Sequence, residues 1–263
     1  MIPYHPIHIL FSVGKFHVYS WGFFVSLGVF LALLFAIKDN KRYEDEIINS
    51  FWVVALFSII GGRLLFVFGD WSYYSKHFSE IFNFSGGGLA LFGAIVLGLL
   101  SFIIYFKLRH KDYKKFLDIY APYIPLAQSI GRIGCFFNGC CYGSLTSVPW
   151  GITYLGGIRH PAQLYESVLD FVLFLFLRRI RHRRKLSLFG TDFKLFKGAK
   201  FIIYLTSYSI IRFLVEFFRQ DIPANVFGFV MQGRYFNQIV YGSVAVLCLI
   251  IFARKIKKKQ VPD

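Results

Sequence analysis

The chain has 263 residues, 56% of them apolar and only 17% charged, with 33 Phe and 16 Tyr and a mean hydropathy of +0.54. Soluble domains sit near roughly 45–50% apolar and 25% charged residues, so composition excludes a water-soluble globule. The formal charge is +16 with four cysteines, too few for a disulfide scaffold, and only the placement of the positive charge can say whether it marks nucleic acid.

Seven apolar stretches have about the 17–25 residues that a helix needs to cross a bilayer. They cover residues 18–37, 48–69, 86–106, 117–134, 161–177, 200–219 and 235–253. This pattern predicts an all-α integral membrane protein, one polytopic domain over 1–263, with a small outer loop region at 135–160. The first span follows no basic segment and ends in Phe35-Ala36-Ile37-Lys38, without a small-x-small cleavage pattern, so it is expected to remain in the mature chain. Basic residues collect after the odd-numbered spans: Lys38, Lys41 and Arg42, then five from Lys107 to Lys115, nine from Arg178 to Lys200 and five from Arg254 to Lys259. By the positive-inside rule these segments face the cytoplasm, which places the N-terminus outside and the C-terminus in the cytoplasm. The charge then has a topological cause and anionic lipid as a neighbour, and nucleic acid is not an expected partner.

Six of the eight other cations are arginines on the expected outer half: Arg63, Arg132, Arg159, Arg212, Arg219 and Arg234. Ionisable groups in or beside hydrocarbon face a bundle interior, a partner or a water-filled cavity, and the guanidinium fork suits phosphate better than an ammonium does. Two readings stay open, an outward-facing cavity for a phospholipid head group and structural arginine–carboxylate pairs.

Several segments carry the chemistry. Gly61-Gly62-Arg63-Leu64 lies in the second span, and Gly86-Gly87-Gly88 opens the third, followed by Gly93 and Gly98. Such glycines allow close helix packing or, at the start of the third span, leave N–H groups for a phosphate. Gly131 to Gly143 holds four glycines in thirteen residues together with Arg132, Asn138 and Tyr142, a pattern of tight turns and close backbone approach. Arg159-His160-Pro161 opens the fifth span, where Gln163, Glu166 and Asp170 fall at i, i+3 and i+7 and form one inward polar stripe. His160 reads as a helix-start interface residue or as a catalytic group. In the sixth span Arg212, Glu216 and Arg219 share one face, so Glu216 can pair with either arginine. Cys135, Cys140 and Cys141 cluster on the outer side, while Cys248 reads as core. The C-x4-C-C spacing is not a good zinc pattern; a disulfide from Cys135 to one of the adjacent pair and an activated thiol both stay open.

Taken together, these blocks resemble the prolipoprotein diacylglyceryl transferases, integral membrane enzymes of bacterial lipoprotein maturation. The resemblance covers nearly the whole chain and rests on Tyr19 to Phe23, Gly61 to Leu64, Gly87 to Gly93, Gly131 to Gly143, Arg159 to Glu166 and Arg212 to Arg219. It implies transfer of a diacylglyceryl group from phosphatidylglycerol, or a related anionic phospholipid, to the lipobox cysteine thiol of a prolipoprotein signal peptide. A thioether forms and glycerol phosphate leaves, at a site between helices towards the outer leaflet of the cell membrane. On the family pattern the catalytic set is Arg132, Arg212, His160 and Glu216, with the two arginines on the phosphate and with Glu216 and Arg219 holding their helix face. The substrate-binding set is Trp21, Arg63, Gly87, Gly88, Asn138, Gly143, Gln163, Tyr165, Glu166 and Arg219, and neither a cofactor nor a metal is expected.

The sequence departs from that pattern in four places. Phe92 stands where the family carries a histidine, Cys135 and Cys140 stand at its Asn and Glu positions, and its first-span tyrosine falls on or beside Trp21. The alternatives are a divergent lipid-handling relative with another donor or acceptor and a membrane binding or transport protein without chemistry.

Overall fold

The computed structural model describes residues 2–14, 16–83, 88–183, 185–188, 191–220, 223–226 and 229–260. Gly86 and Gly87, and with them the expected start of the third span, lie outside these residues. In chain order the elements are β1 (Ile2–Pro3), β2 (Ile9–Val13), β3 (Phe16–Tyr19), α1 (Ser20–Asp39), α2 (Glu44–Gly69), α3 (Trp71–Tyr74), α4 (Leu91–Leu108), α5 (Tyr113–Tyr120) and α6 (Ile124–Phe137). They continue with β4 (Ile152–Tyr154), β5 (Gly157–Arg159), α7 (Ala162–Arg179), β6 (Lys185–Leu188), β7 (Thr191–Lys194), α8 (Ala199–Val215), β8 (Pro223–Val226), β9 (Phe229–Gln232) and α9 (Gly233–Gln260).

Among the described residues five helices are long and apolar enough to cross a membrane, within 20–39, 41–69, 91–108, 199–218 and 233–256. Their apolar side chains stay largely uncovered by protein, as at Trp52 (66% exposed), Phe68 (65%) and Leu91 (71%), which fits lipid as the surrounding solvent. The protein is a multi-pass membrane protein. The stretch expected as one helix over 117–134 is two, α5 and α6, broken at residues 121–123. Pro122 and Pro125 cause the break, because proline disfavours helical backbone in the residue before it; Pro125 then sits in the first turn of α6, where its missing N–H costs nothing. Fourteen residues of α6 rise about 21 Å, short of a hydrocarbon core of about 30 Å. The expected 161–177 is α7, which carries Glu166, Asp170, Arg178 and Arg179 and is for that reason less apolar than the five.

The remaining corrections concern ends and loops. The helix expected at 86–106 is described from Leu91 to Leu108, and the one expected at 200–219 tightens after Val215 into a 3-10 turn, Glu216–Phe218. The region 135–160, expected as an outer loop, is not loop alone: α6 runs through Phe137, and β4 and β5 form a hairpin to which β1 adds in parallel.

The chain divides into two compact units, residues 1–36 with 117–263 and residues 37–116. In the second unit α2 crosses α4 at glycines: a Cβ on Gly61 would overlap the Gly93 carbonyl, and one on Gly93 the Gly61 carbonyl. Here the packing reading of the glycines holds, since only backbone fits the crossing. In the first unit α1 meets α6 in the same way, with Gly28 against Ala127 and Gly134 against Phe24, and Phe24 stacks on Phe137 at 5.1 Å. Asp118 caps α8 from α5, accepting from the N–H groups of Gly198 (2.8 Å), Lys200 (2.9 Å) and Phe201 (3.1 Å), the orphan donors that a helix start leaves.

Candidate active site

In the first unit α6, α7, α8 and α9 bring charged residues together. Gln163, Glu166 and Asp170 are 2%, 2% and 0% exposed, so the polar stripe of α7 does face inward. Glu166 is its centre: Oε1 meets Arg132 Nη2 at 2.9 Å and Oε2 accepts from Arg212 Nη1 at 2.7 Å. Arg212 Nη2 reaches Glu216 Oε2 at 3.3 Å, and Arg219 Nη1 shares that oxygen at 3.4 Å. Glu216 therefore pairs with both arginines of its face. The result is a continuous chain, Arg132–Glu166–Arg212–Glu216–Arg219, with three cations and two carboxylates.

A buried charge persists only if paired and hydrogen-bonded. Two residues outside the motifs contribute to that requirement. Asn237 Nδ2 donates to Glu216 Oε1 at 2.8 Å, and the Tyr241 ring lies 5.1 Å from the Arg212 guanidinium, a cation–π contact. Both belong to α9, and sequence reasoning passed over them, although Arg234, Asn237 and Tyr241 at i, i+3 and i+7 place polar groups along one face at its start. The arginines also differ in access. The Arg212 side chain is 4% exposed between its two carboxylates, whereas those of Arg132 and Arg219 keep 20% and 19% of their surface. Among the described residues Arg132 is ion-paired through Nη2 alone, leaving donors for an anion.

The 138–160 region is fastened to the end of α8 by backbone. Gly143 N donates to His160 O at 3.0 Å, Ser144 N to Phe218 O at 2.9 Å and Gln220 N to Tyr142 O at 3.1 Å. A Cβ on Gly143 would overlap the His160 carbonyl, so glycine is required by this three-way crossing rather than by its φ. Arg159 ties the same region, donating to Gln220 Oε1 at 2.9 Å and Tyr154 O at 3.1 Å. Gln163 Nε2 donates to Cys140 O at 2.7 Å, and Asn138 ends α6 with Oδ1 3.4 Å from His8 Nδ1.

His160 Nδ1 lies 3.1 Å from Tyr165 Oη, which also accepts from Trp150 Nε1 at 2.8 Å. Burial lowers the His160 pKa, which favours the neutral imidazole. His160 makes none of the contacts of the arginine–carboxylate chain among the described residues. Tyr165, Trp150 and Leu164, Val168, Leu214 and Phe217 line an apolar groove of about 930 Å³. Thus α7 presents charge on one face and an apolar wall on the other. Trp21, half-exposed at the start of α1, is not joined to the chain of ion pairs.

Arg63 and Gly88 belong to the second unit. Arg63 is 6% exposed and spends its donors on backbone carbonyls: Ile81 (2.8 Å), Glu80 (2.6 Å), Asn83 (2.9 Å) and Gly88 (3.1 Å). Gly88 has φ +85 and packs so tightly that a Cβ would meet Phe66. This arginine organises the segment before α4. Phe92 is 68% exposed and lines a shallow apolar groove with Leu64, Phe68 and Val96, with no titratable group in its wall.

A family model described as prolipoprotein diacylglyceryl transferase matches residues 8–256. The phosphatidylglycerol–prolipoprotein diacylglyceryl transferase of Clostridioides difficile is 37% identical over 216 residues, 81% of this chain and 83% of that one. Its counterpart from Finegoldia magna is 34% identical over 250 residues, 88% and 97% of the two chains. The one from Limosilactobacillus reuteri is 33% identical over 257 residues, 92% and 90%.

Proposed function

The chain belongs to the prolipoprotein diacylglyceryl transferase family, and on that premise we propose that it moves the diacylglyceryl group of phosphatidylglycerol onto the lipobox cysteine of prolipoproteins. The acceptor sulfur forms a C–S bond to the glyceryl carbon as the C–O bond to phosphate breaks. The thiol gives up its proton to water, and glycerol phosphate leaves with the electron pair of the broken C–O bond. A thiol attacks as thiolate, and the phosphate gathers negative charge as it leaves, which preorganised donors stabilise.

The observation that carries this reading is the Arg132–Glu166–Arg212–Glu216–Arg219 chain. Arg132, with free donors and accessible surface, contacts the phosphate. Arg212 stands behind it through the shared Glu166 and reaches the phosphate by releasing one carboxylate oxygen. Glu216, anchored by Asn237, positions Arg212 and Arg219. Gly143 keeps His160, Tyr165 and Asn138 in the outer wall of the site. Gln163 supports the turn above it, and the groove along α7 and α8 suits acyl chains entering sideways from the bilayer. On the family pattern Trp21, Arg63, Gly87 and Gly88 also belong to the substrate-binding set, Arg63 acting by holding backbone carbonyls of its own unit.

In this proposal the chain is one polytopic domain that crosses the cell membrane seven times, the broken α5–α6 pair counting together as the fourth crossing and the less apolar α7 as the fifth, with the N-terminus outside, the C-terminus in the cytoplasm and the site towards the outer leaflet. The basic segments after the odd spans support that orientation. The test is a transfer assay with purified protein, phosphatidylglycerol and a lipobox peptide, read by mass. A gain of one diacylglyceryl group on the cysteine peptide and none on its serine version is the expected result; folded protein that binds lipid without transfer would favour the divergent relative.

A further inference from the structure

Cys135, Cys140 and Cys141 take no part in the ion-pair chain, yet the fold converges them. Cys135 lies in the last turn of α6; the chain reverses through Asn138 and Gly139, whose φ is +69, and Cys141 follows with φ +59. A non-glycine residue in the left-handed region is uncommon and persists where the surroundings fix it. Here Cys140 N donates to Cys135 O at 3.1 Å and Gln163 Nε2 to Cys140 O at 2.7 Å. All three Sγ atoms lie within 4.8 Å of one another, and all three thiols are free.

We propose that Cys135, Cys140 and Cys141 form a binding site for one thiophilic divalent metal ion of the zinc class, held by three thiolates with a fourth position open. Zinc–sulfur bonds of about 2.3 Å at tetrahedral angles place the sulfurs about 3.8 Å apart, within the separation observed, so side-chain rotation suffices to close the set. On binding, three S–H groups release their protons to solvent and three metal–sulfur bonds form, without electron transfer. Three thiolates and a dication leave one negative charge, and Arg132, at i, i+3 to Cys135 on α6, brings a cation to the same end of the helix. Gln163 adds an acceptor: its Oε1 is buried and has no partner among the described residues, as a metal-bound water in the fourth position would require. The C-x4-C-C spacing hides the site because the turn, not the spacing, brings the sulfurs together.

The test uses the full chain in detergent, purified under reduction, with metal content measured by mass spectrometry and cobalt(II) uptake read by absorption. Expected are one metal per chain, a thiolate-to-cobalt charge-transfer band, and protection of three cysteines from alkylation that a chelator removes. Each of Cys135→Ser, Cys140→Ser and Cys141→Ser should weaken cobalt binding by more than the roughly 10–100-fold that an outer-shell loss costs, and Cys248→Ser should not. If a serine variant fails to fold, the alkylation pattern of the unmodified chain decides. Folded, reduced protein whose three thiols alkylate equally with and without zinc would overturn the site. So would a Cys135 disulfide with no metal uptake after its reduction. These readouts do not involve transfer, so the metal site and the transferase reading succeed or fail separately.

Discussion

Glu166 holds two arginines from two other helices on its two oxygens, and that makes it the most sensitive residue of the site. Removing one member of a buried ion-pair set leaves an uncompensated charge and costs about 3–5 kcal/mol. Glu166→Ala should therefore lower the thermal midpoint in detergent sharply as well as stop transfer. Arg132→Ala loses one partly accessible donor instead, so the fold should survive while transfer falls by about 10²–10³, the cost of removing a comparable electrostatic donor. Near-normal transfer by Arg132→Ala, in the mass assay, would remove the mechanism. Phe92 makes the opposite case. Because it is 68% exposed, and exposed substitutions usually stay within about 0.5 kcal/mol, Phe92→Ala should leave transfer within about a factor of three. A much larger loss would place this position in the chemistry despite its apolar surroundings.

Among elements, α2 and α4 illustrate how a helix crossing is fixed by what is missing from it. Their backbones meet at Gly61 and Gly93, so Gly93→Val must push the helices apart, an overpacking that costs about 1–3 kcal/mol. Gly22 in α1 has nothing within 4 Å of an added Cβ, and Gly22→Ala should be neutral or stabilising by up to about 1 kcal/mol through helix propensity. Parallel melting of the two variants separates packing from propensity. The α5–α6 break has the same local character: Pro122 and Pro125 could be read directly as a boundary by the rule that proline disfavours helix before it, and hydropathy alone hid this.

At the scale of the whole molecule, charge asymmetry predicts the orientation in the bilayer. Fusions of alkaline phosphatase after Ser147 and of a fluorescent protein after His182 should both be active, the first outside and the second inside, if charge asymmetry sets topology. The reverse pattern would invert the outward site as well.

The sequence by itself determined what depends on neighbours along the helix or on composition. Membrane class, most spans, the inward face of Gln163, Glu166 and Asp170, and the closeness of Arg212 and Glu216 follow from apolar runs and a period of 3.6 residues, while Arg219 lies past the 3-10 turn in extended backbone. Only tertiary structure decided which charges meet. Glu166 finds Arg212 46 residues away, Asn237 of α9 closes on Glu216, the 138–160 region pairs by backbone with the end of α8, and a reversed turn gathers three thiols. Arg63 shows the same limit, since nothing in Gly-Gly-Arg-Leu says that its donors go to the carbonyls of Glu80, Ile81, Asn83 and Gly88. Helix geometry fixes which side chains share a face, while packing between helices fixes what that face touches, and buried charges accept only the partners that packing brings within hydrogen-bond reach.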